Sequence, residues 1–210
     1  MPENDNRIEI LTDSEIQELY GVPQFTDAQR ERYFDLDDSE IVLLSPRNDA
    51  ITNAYRVLLL GHFKYKPVIL QFSFAEIKSD LDYIRKKYKL HLSLTKADIS
   101  RTQKSRFYES VLNFCGFEYF DENKHQLTAF VSRVANQIAE PREVFDTCVT
   151  YLHERKIAIP AYSTMQKTIS HGIKLEEKTL EKNLLAHLST DDLEIMKQMA
   201  VAEDDKPLIT

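Results

Sequence analysis

Eight cations and a single carboxylate share the 22 residues from Arg85 to Arg106: Arg85, Lys86, Lys87, Lys89, Lys96, Arg101, Lys104 and Arg106 against Asp98. Tyr83, Tyr88, Ser93, Thr95, Ser100, Thr102 and Gln103 are interleaved with them. Cations at that density gather phosphates, and the hydroxyls, amides and rings between them can add hydrogen bonds and stacking. A second group, Ser163, Gln166, Lys167, Ser170 and Lys174, falls on the polar side of a helical pattern whose apolar side carries Met165 and Ile169. Side chains of these types reach base edges and phosphates when a helix enters the major groove. From the residues alone, two readings stay open for each group. The belt is either a polyanion-binding surface or a solvated face paired with acidic flanks. The Ser163 helix is either a recognition element or one arm of an ordinary helical hairpin.

The chain as a whole is acidic, with a net charge of −7 over 210 residues. That charge is unevenly spread. From Met1 to Pro46 there are 3 cations against 12 carboxylates, from Arg47 to Arg106 there are 13 against 5, and from Phe107 onward 11 against 17. Local potential rather than net charge decides where phosphates collect, so the middle third remains a candidate despite its surroundings.

Other chemistry finds no support. There is no Gly-rich phosphate loop, no His-Glu-x-x-His pair and no G-x-S-x-G elbow. The six histidines (His62, His91, His125, His153, His171 and His187) are scattered and read as surface or half-buried imidazoles. Asp35, Asp37 and Asp38 are close in sequence, but a helix start at Asp37, with Asp38 and Glu40 in its first turn, explains them without a metal. Asp204 and Asp205 read as part of a polar tail. Cys115 and Cys148 stand alone, outside any metal-ligand spacing, as in a reduced cytoplasmic protein. Apolar runs such as Val57–Leu60 are far shorter than the roughly 20 residues of a membrane span, and the polar N-terminus is no signal peptide.

The elements that must position these residues are helical. Apolar residues make up 42% and charged residues 29% of the chain, with only 4 glycines and 7 prolines, which disfavours turn-rich β architectures. Capping boxes fall at Thr12/Glu15, Thr26/Gln29 and Ser73/Glu76, with weaker versions at Thr95/Asp98 and Ser189/Asp192. Phe74, Ile77, Leu81, Ile84 and Tyr88 recur at helical spacing, as do Leu127, Phe130, Val131, Val134 and Ile138. A helix from about Ser100 stops at Gly116, and another begins at Pro141 with Val144, Phe145, Cys148, Val149 and Leu152 on its buried face. A short helix from Ser163 is expected to stop at Gly172, with two more helices over Lys174–Ala202. Val68–Phe72 and Leu90–Leu94 read as extended connections. The expectation is an all-α, multi-helical chain of two lobes, 1–94 and 95–210. The second lobe would hold a helix-turn-helix-like unit near 142–174, although its connection from Lys156 to Tyr162 is longer than the standard turn.

Leu58–Pro67 followed by Phe72–Tyr88 resembles the N-terminal domain of the large replicative transposases of the Tn-three family. Arg47-Asn-Asp49 resembles that family's Arg/Asn segment before a long apolar helix, and Tyr151–Ile169 is similar to its segment ending in Arg-Ile-x-x-Pro and a short helix. The likeness runs from about Ile10 to Leu208. It implies a DNA-binding region that recognises the terminal inverted repeats of a mobile element for replicative transposition. It also implies that the magnesium-dependent acidic triad lies downstream in a longer chain, so this fragment would be no enzyme and would carry no cofactor. The ending Asp205–Thr210 resembles a point where the family's chain continues. Double-stranded DNA, the rest of the transposase and a second copy are the implied partners, with no membrane among them. Under this reading Arg85, Lys86, Lys87, Lys89, Arg101, Lys104 and Arg106 hold phosphates, while Ser163, Gln166, Lys167 and Lys174 face the bases. The alternative is a helical interaction or dimerisation module of the transposase that makes no DNA contact.

Overall fold

The computed structural model describes residues 8–44, 49–91 and 99–188, with 192 and 195. The expectations at Lys96, Asp98, Ser93, Thr95, Arg47, Leu92–Leu94, Ser189, Asp204 and Asp205 lie outside the described residues. The chain is all-helical. Eight α-helices are described: α1 (Asp13–Tyr20), α2 (Asp27–Phe34), α3 (Ala50–Tyr65), α4 (Lys78–Lys87), α5 (Arg101–Cys115), α6 (Phe120–Ala135), α7 (Pro141–Glu154) and α8 (Tyr162–His187).

Local chemistry sets most boundaries. Thr12, Thr26 and Ser100 each accept a hydrogen bond from the N3 amide of their helix, and the N3 side chain reaches back to the cap. Asp49 caps α3 by accepting from Thr52 N at 2.6 Å. Gly116 ends α5 at φ 70°, a left-handed position that favours a residue without a Cβ. Ser73 and Glu76 do pair, but they close a turn ahead of α4, which starts only at Lys78. Asp37 starts no α-helix. Its carboxylate accepts from Ser39 and Glu40 and folds the chain into a 3-10 turn at Ile41–Leu43.

α3 is buried along most of its length, from Asn53 to Phe63, and packs against α2, α4 and α5. α6 packs against α7 and, most extensively, α8. One apolar cluster runs through the described chain from Ile10 to Ile169. At its centre the α7–α8 connection is threaded as an extended segment. Ile69 N donates to Ile159 O at 3.0 Å and Ile159 N to Pro67 O at 3.1 Å on one side; Glu118 N donates to Lys156 O at 2.7 Å on the other. Ile157, Ala158 and Ile159 are buried there. The segment from Arg155 to Ala161 is therefore a core strand-like spacer rather than the tight turn of a helix-turn-helix.

α8 differs from expectation in one further respect: it does not stop at Gly172. A Cβ at that position would stand 2.5 Å from Val131 Cγ1, and Ser132 Oγ donates to Gly172 O. The glycine lets α8 lie close along α6, and the helix continues for another fifteen residues to His187.

Candidate nucleic-acid interface

The cationic belt divides between two helices that behave differently. On α4, Lys87 is taken up by Asp35, which also accepts from Tyr83 OH at 2.6 Å. Burial by itself would raise the Asp35 pKa, but the hydrogen bonds from Lys87 and Tyr83 outweigh it and hold the carboxyl below its ordinary range. The hydrogen bond to Asp35 in turn raises Lys87. Tyr88 OH donates to Phe34 O and accepts from Leu36 N. Arg85 pairs with Asp82 at 3.3 Å on its own helix. Lys86 and Lys89 remain exposed, Lys89 at φ 51° just past the helix end. In this half of the belt Lys87, with Tyr83 and Tyr88, docks α4 onto the segment after α2, Arg85 is paired within its own helix, and Lys86 and Lys89 face solvent.

The α5 half is different. Among the described residues, Arg101, Lys104 and Arg106 have no carboxylate partner, and no acidic residue lies in the first turn of the helix, where the macrodipole is positive. At 100° per residue Arg106 falls on the side of α5 opposite Lys104, so it projects outward, away from the other two. Arg101 and Lys104 line a cleft of about 610 Å³ with Ile69, Gln71, Ile99, Ser105, Tyr108, Tyr119 and Asp121. The Lys104 ammonium lies 5.9 Å from the centroid of the Tyr55 ring. Tyr108 is 8% exposed, and its hydroxyl has no hydrogen-bond partner. Burial raises that hydroxyl's pKa well above the ordinary value, so it stays a donor.

A second cleft, of about 670 Å³, runs between α6 and α8 and is lined by Lys124, His125, Thr128, Lys167 and His171, among others. Asp121 lines both clefts. The Arg101–Lys104 face and the Lys124–Lys167 face therefore adjoin at the first turn of α6, which carries Asp121 and Glu122.

Of the candidate base-reading residues on α8, Ser163, Lys167 and Lys174 are exposed. Gln166 is not free: its Nε2 donates to Ile8 O at 3.0 Å. Ser170 is buried and accepts from Ile8 N at 3.2 Å. The N-terminal segment thus covers that flank of α8, and Tyr162 OH accepts from Leu11 N in the same seam.

Gln71, Tyr119 and Lys124 were not singled out by sequence, because they come from three different stretches of chain. Ser105 and Tyr108 could have been found, since they share a helical face with Arg101 and Lys104. Among the described residues, no group of His, Cys, Asp and Glu side chains is arranged to hold a metal ion, and no helix is long and apolar enough to cross a membrane. No protein of curated function and no solved structure matches the chain. A domain family does match, described as "Domain of unknown function (DUF4158)", over residues 10–172. With well over half its length so matched, the chain belongs to the DUF4158 family, a transposase-associated domain commonly found at transposase N-termini.

Proposed function

We propose that this chain is a duplex-DNA-binding region of a transposase that recognises the terminal inverted repeats of a Tn-three type element. The observation that carries the reading is the joined cationic face: Arg101 and Lys104 beside Lys124 and Lys167, none of them in an ion pair among the described residues. Phosphates are held along this face, and the exposed Ser163, Lys167 and Lys174 present the polar side of α8 to the bases. Strand cleavage and joining belong to residues elsewhere in the transposase, and this region needs no cofactor for its part. It acts in the cytoplasm, where the element's DNA lies. The test is binding of the purified chain to duplex bearing the element's terminal repeat and to a scrambled duplex, each at two salt concentrations. Preference for the repeat, with affinity falling steeply in salt, supports the reading. Equal affinity for both duplexes, or affinity indifferent to salt, overturns it.

The interaction-module reading has one observation in its favour. Leu175, Leu180, Leu184 and Leu185 are each about half exposed on the part of α8 beyond the family match. Such a face suits contact with the rest of the transposase chain. Sedimentation of the chain with and without the remainder of the transposase separates the two readings.

A further inference from the structure

We infer that the cleft between α5, the Ile69–Gln71 segment and the start of α6 is a binding site for a single nucleotide. Its volume, about 610 Å³, falls within the roughly 300–1,000 Å³ of small-molecule sites. Its lining is sorted in the way a nucleotide requires. Arg101, Lys104 and the Ser105 hydroxyl lie together at the positive end of α5, a place for a phosphate. Ile69, Ile99, Tyr108 and Tyr119 supply apolar and aromatic surface for a flat base. Gln71 offers an amide whose donor and acceptor match the edge of adenine. Asp121, also in the lining, accepts from an amino group or a sugar hydroxyl. Tyr108 lines the cleft, and its hydroxyl is buried with no partner, a costly state that an acceptor on a bound ligand relieves.

The inference goes beyond duplex binding and rests on it only in assigning Arg101 and Lys104 to phosphate. A nucleotide reaches the cleft from one of two sources: an unpaired terminal residue of a DNA strand, or a free mononucleotide. Both present the same phosphate, sugar and base.

The experiment is calorimetric titration of the whole chain with adenosine 5′-monophosphate, adenosine and inorganic phosphate. The monophosphate is expected to bind with a Kd below about 1 mM and at least about tenfold more tightly than either half, because each half leaves part of the lining unused. Ser105→Trp, at an exposed position on the cleft wall, fills the space without removing charge and should abolish this binding. Gln71→Trp, at another exposed lining position from a different segment, does the same, and unchanged melting temperatures show that each variant is folded. Duplexes with one unpaired terminal adenosine and blunt duplexes then identify the source. Tighter binding of the overhang, lost in Ser105→Trp, points to DNA, while indifference to the overhang points to the free nucleotide. No binding of the monophosphate, equal binding of phosphate and monophosphate, or full binding by both Trp variants overturns the inference. Duplex recognition that survives in Ser105→Trp leaves the proposed function standing when this inference fails; monophosphate binding without duplex recognition does the reverse.

Discussion

Replacing Arg101 and Lys104 together with Ala should change how DNA binding responds to salt, and by an amount the structure fixes. Four cations without carboxylate partners share the face around the first turn of α6: Arg101, Lys104, Lys124 and Lys167. Each phosphate neutralised contributes about −0.9 to the slope of log K against log salt, so four give about −3.6. A fourfold rise from 50 to 200 mM then weakens binding of the parent chain about 150-fold. With two contacts removed the slope falls to about −1.8, and the same rise weakens binding only about 12-fold. Fluorescence anisotropy of a labelled duplex across that salt range measures both slopes. The Asp35–Lys87 pair on the α4 side of the belt supplies the control. Asp35→Ala with Lys87→Ala removes an ion pair and no net charge, so its slope should match the parent's. An Arg101/Lys104 variant with the parent slope, or an Asp35/Lys87 variant that flattens it, would refute the division of the belt.

Three further outcomes concern the frame that holds this face. Gly172→Ala gains about 1 kcal/mol of helix propensity but sets a Cβ 2.5 Å from Val131 Cγ1. Overpacking of about 1–3 kcal/mol outweighs the gain, so chemical denaturation should show a net loss; Val131→Ala should not recover it, because the Val131 Cβ itself stands 2.7 Å from the added Cβ, and a net gain in Gly172→Ala would contradict the packing argument. Asp80→Ala breaks the buried pair with Arg30 Nε at 2.8 Å. The loss should be about 3 kcal/mol, at the low end for buried pairs because Arg30 keeps Asp27; a loss below about 1 kcal/mol would mean the pair is effectively solvated. His62, buried against Phe25, Phe34 and Phe72, has its pKa pushed down by burial from 6.5 to about 4. Asp80 Oδ2 stands 3.8 Å away, but that carboxylate is committed to Arg30, so burial decides the direction. The unfolded imidazole takes up a proton below pH 6.5 and the folded one does not until about pH 4. Stability is therefore complete above pH 6.5 and lost as pH falls through that window, by about 2 kcal/mol at pH 5. Denaturation of the parent at pH 7.5 and pH 5, compared with His62→Phe, isolates this term; equal pH dependence in both chains would contradict it.

Much of the helical frame was legible because its signals are local. Thr12 with Glu15, Thr26 with Gln29, Gly116 and Pro141 each act within a turn of their own position. The apolar stripes on α6 and α7 needed only a period. The candidate site was legible in part. A dense run of cations marked the right region, but it carried no information about which of them would be spent on internal pairs. Lys87 meets Asp35 across 52 positions, and Gln166 meets Ile8 across 158. Gly172 misled for a related reason. A glycine near the end of a helical pattern reads as a stop, yet this one is small because Val131 lies against it, and contact with a distant helix leaves no trace in the local sequence.

The same distinction resolves how an acidic chain can present a cationic face. Several of its carboxylates serve the fold. Asp49 caps a helix, Asp37 closes a turn, Glu15 completes a capping box, and Glu76 accepts from Ser73. Others are paired: Glu40 with Lys64, Asp80 with Arg30, Asp35 with Lys87. Each is held where the backbone or a cation needs it, and cannot move to screen another part of the surface. Arg101, Lys124 and Lys167 are exposed and Lys104 half-buried beside them, while the nearby Asp121 and Glu122 sit in the first turn of α6, where the helix dipole offsets part of their charge. An approaching phosphate meets that local set within a Debye length of about 10 Å, not the −7 of the whole chain.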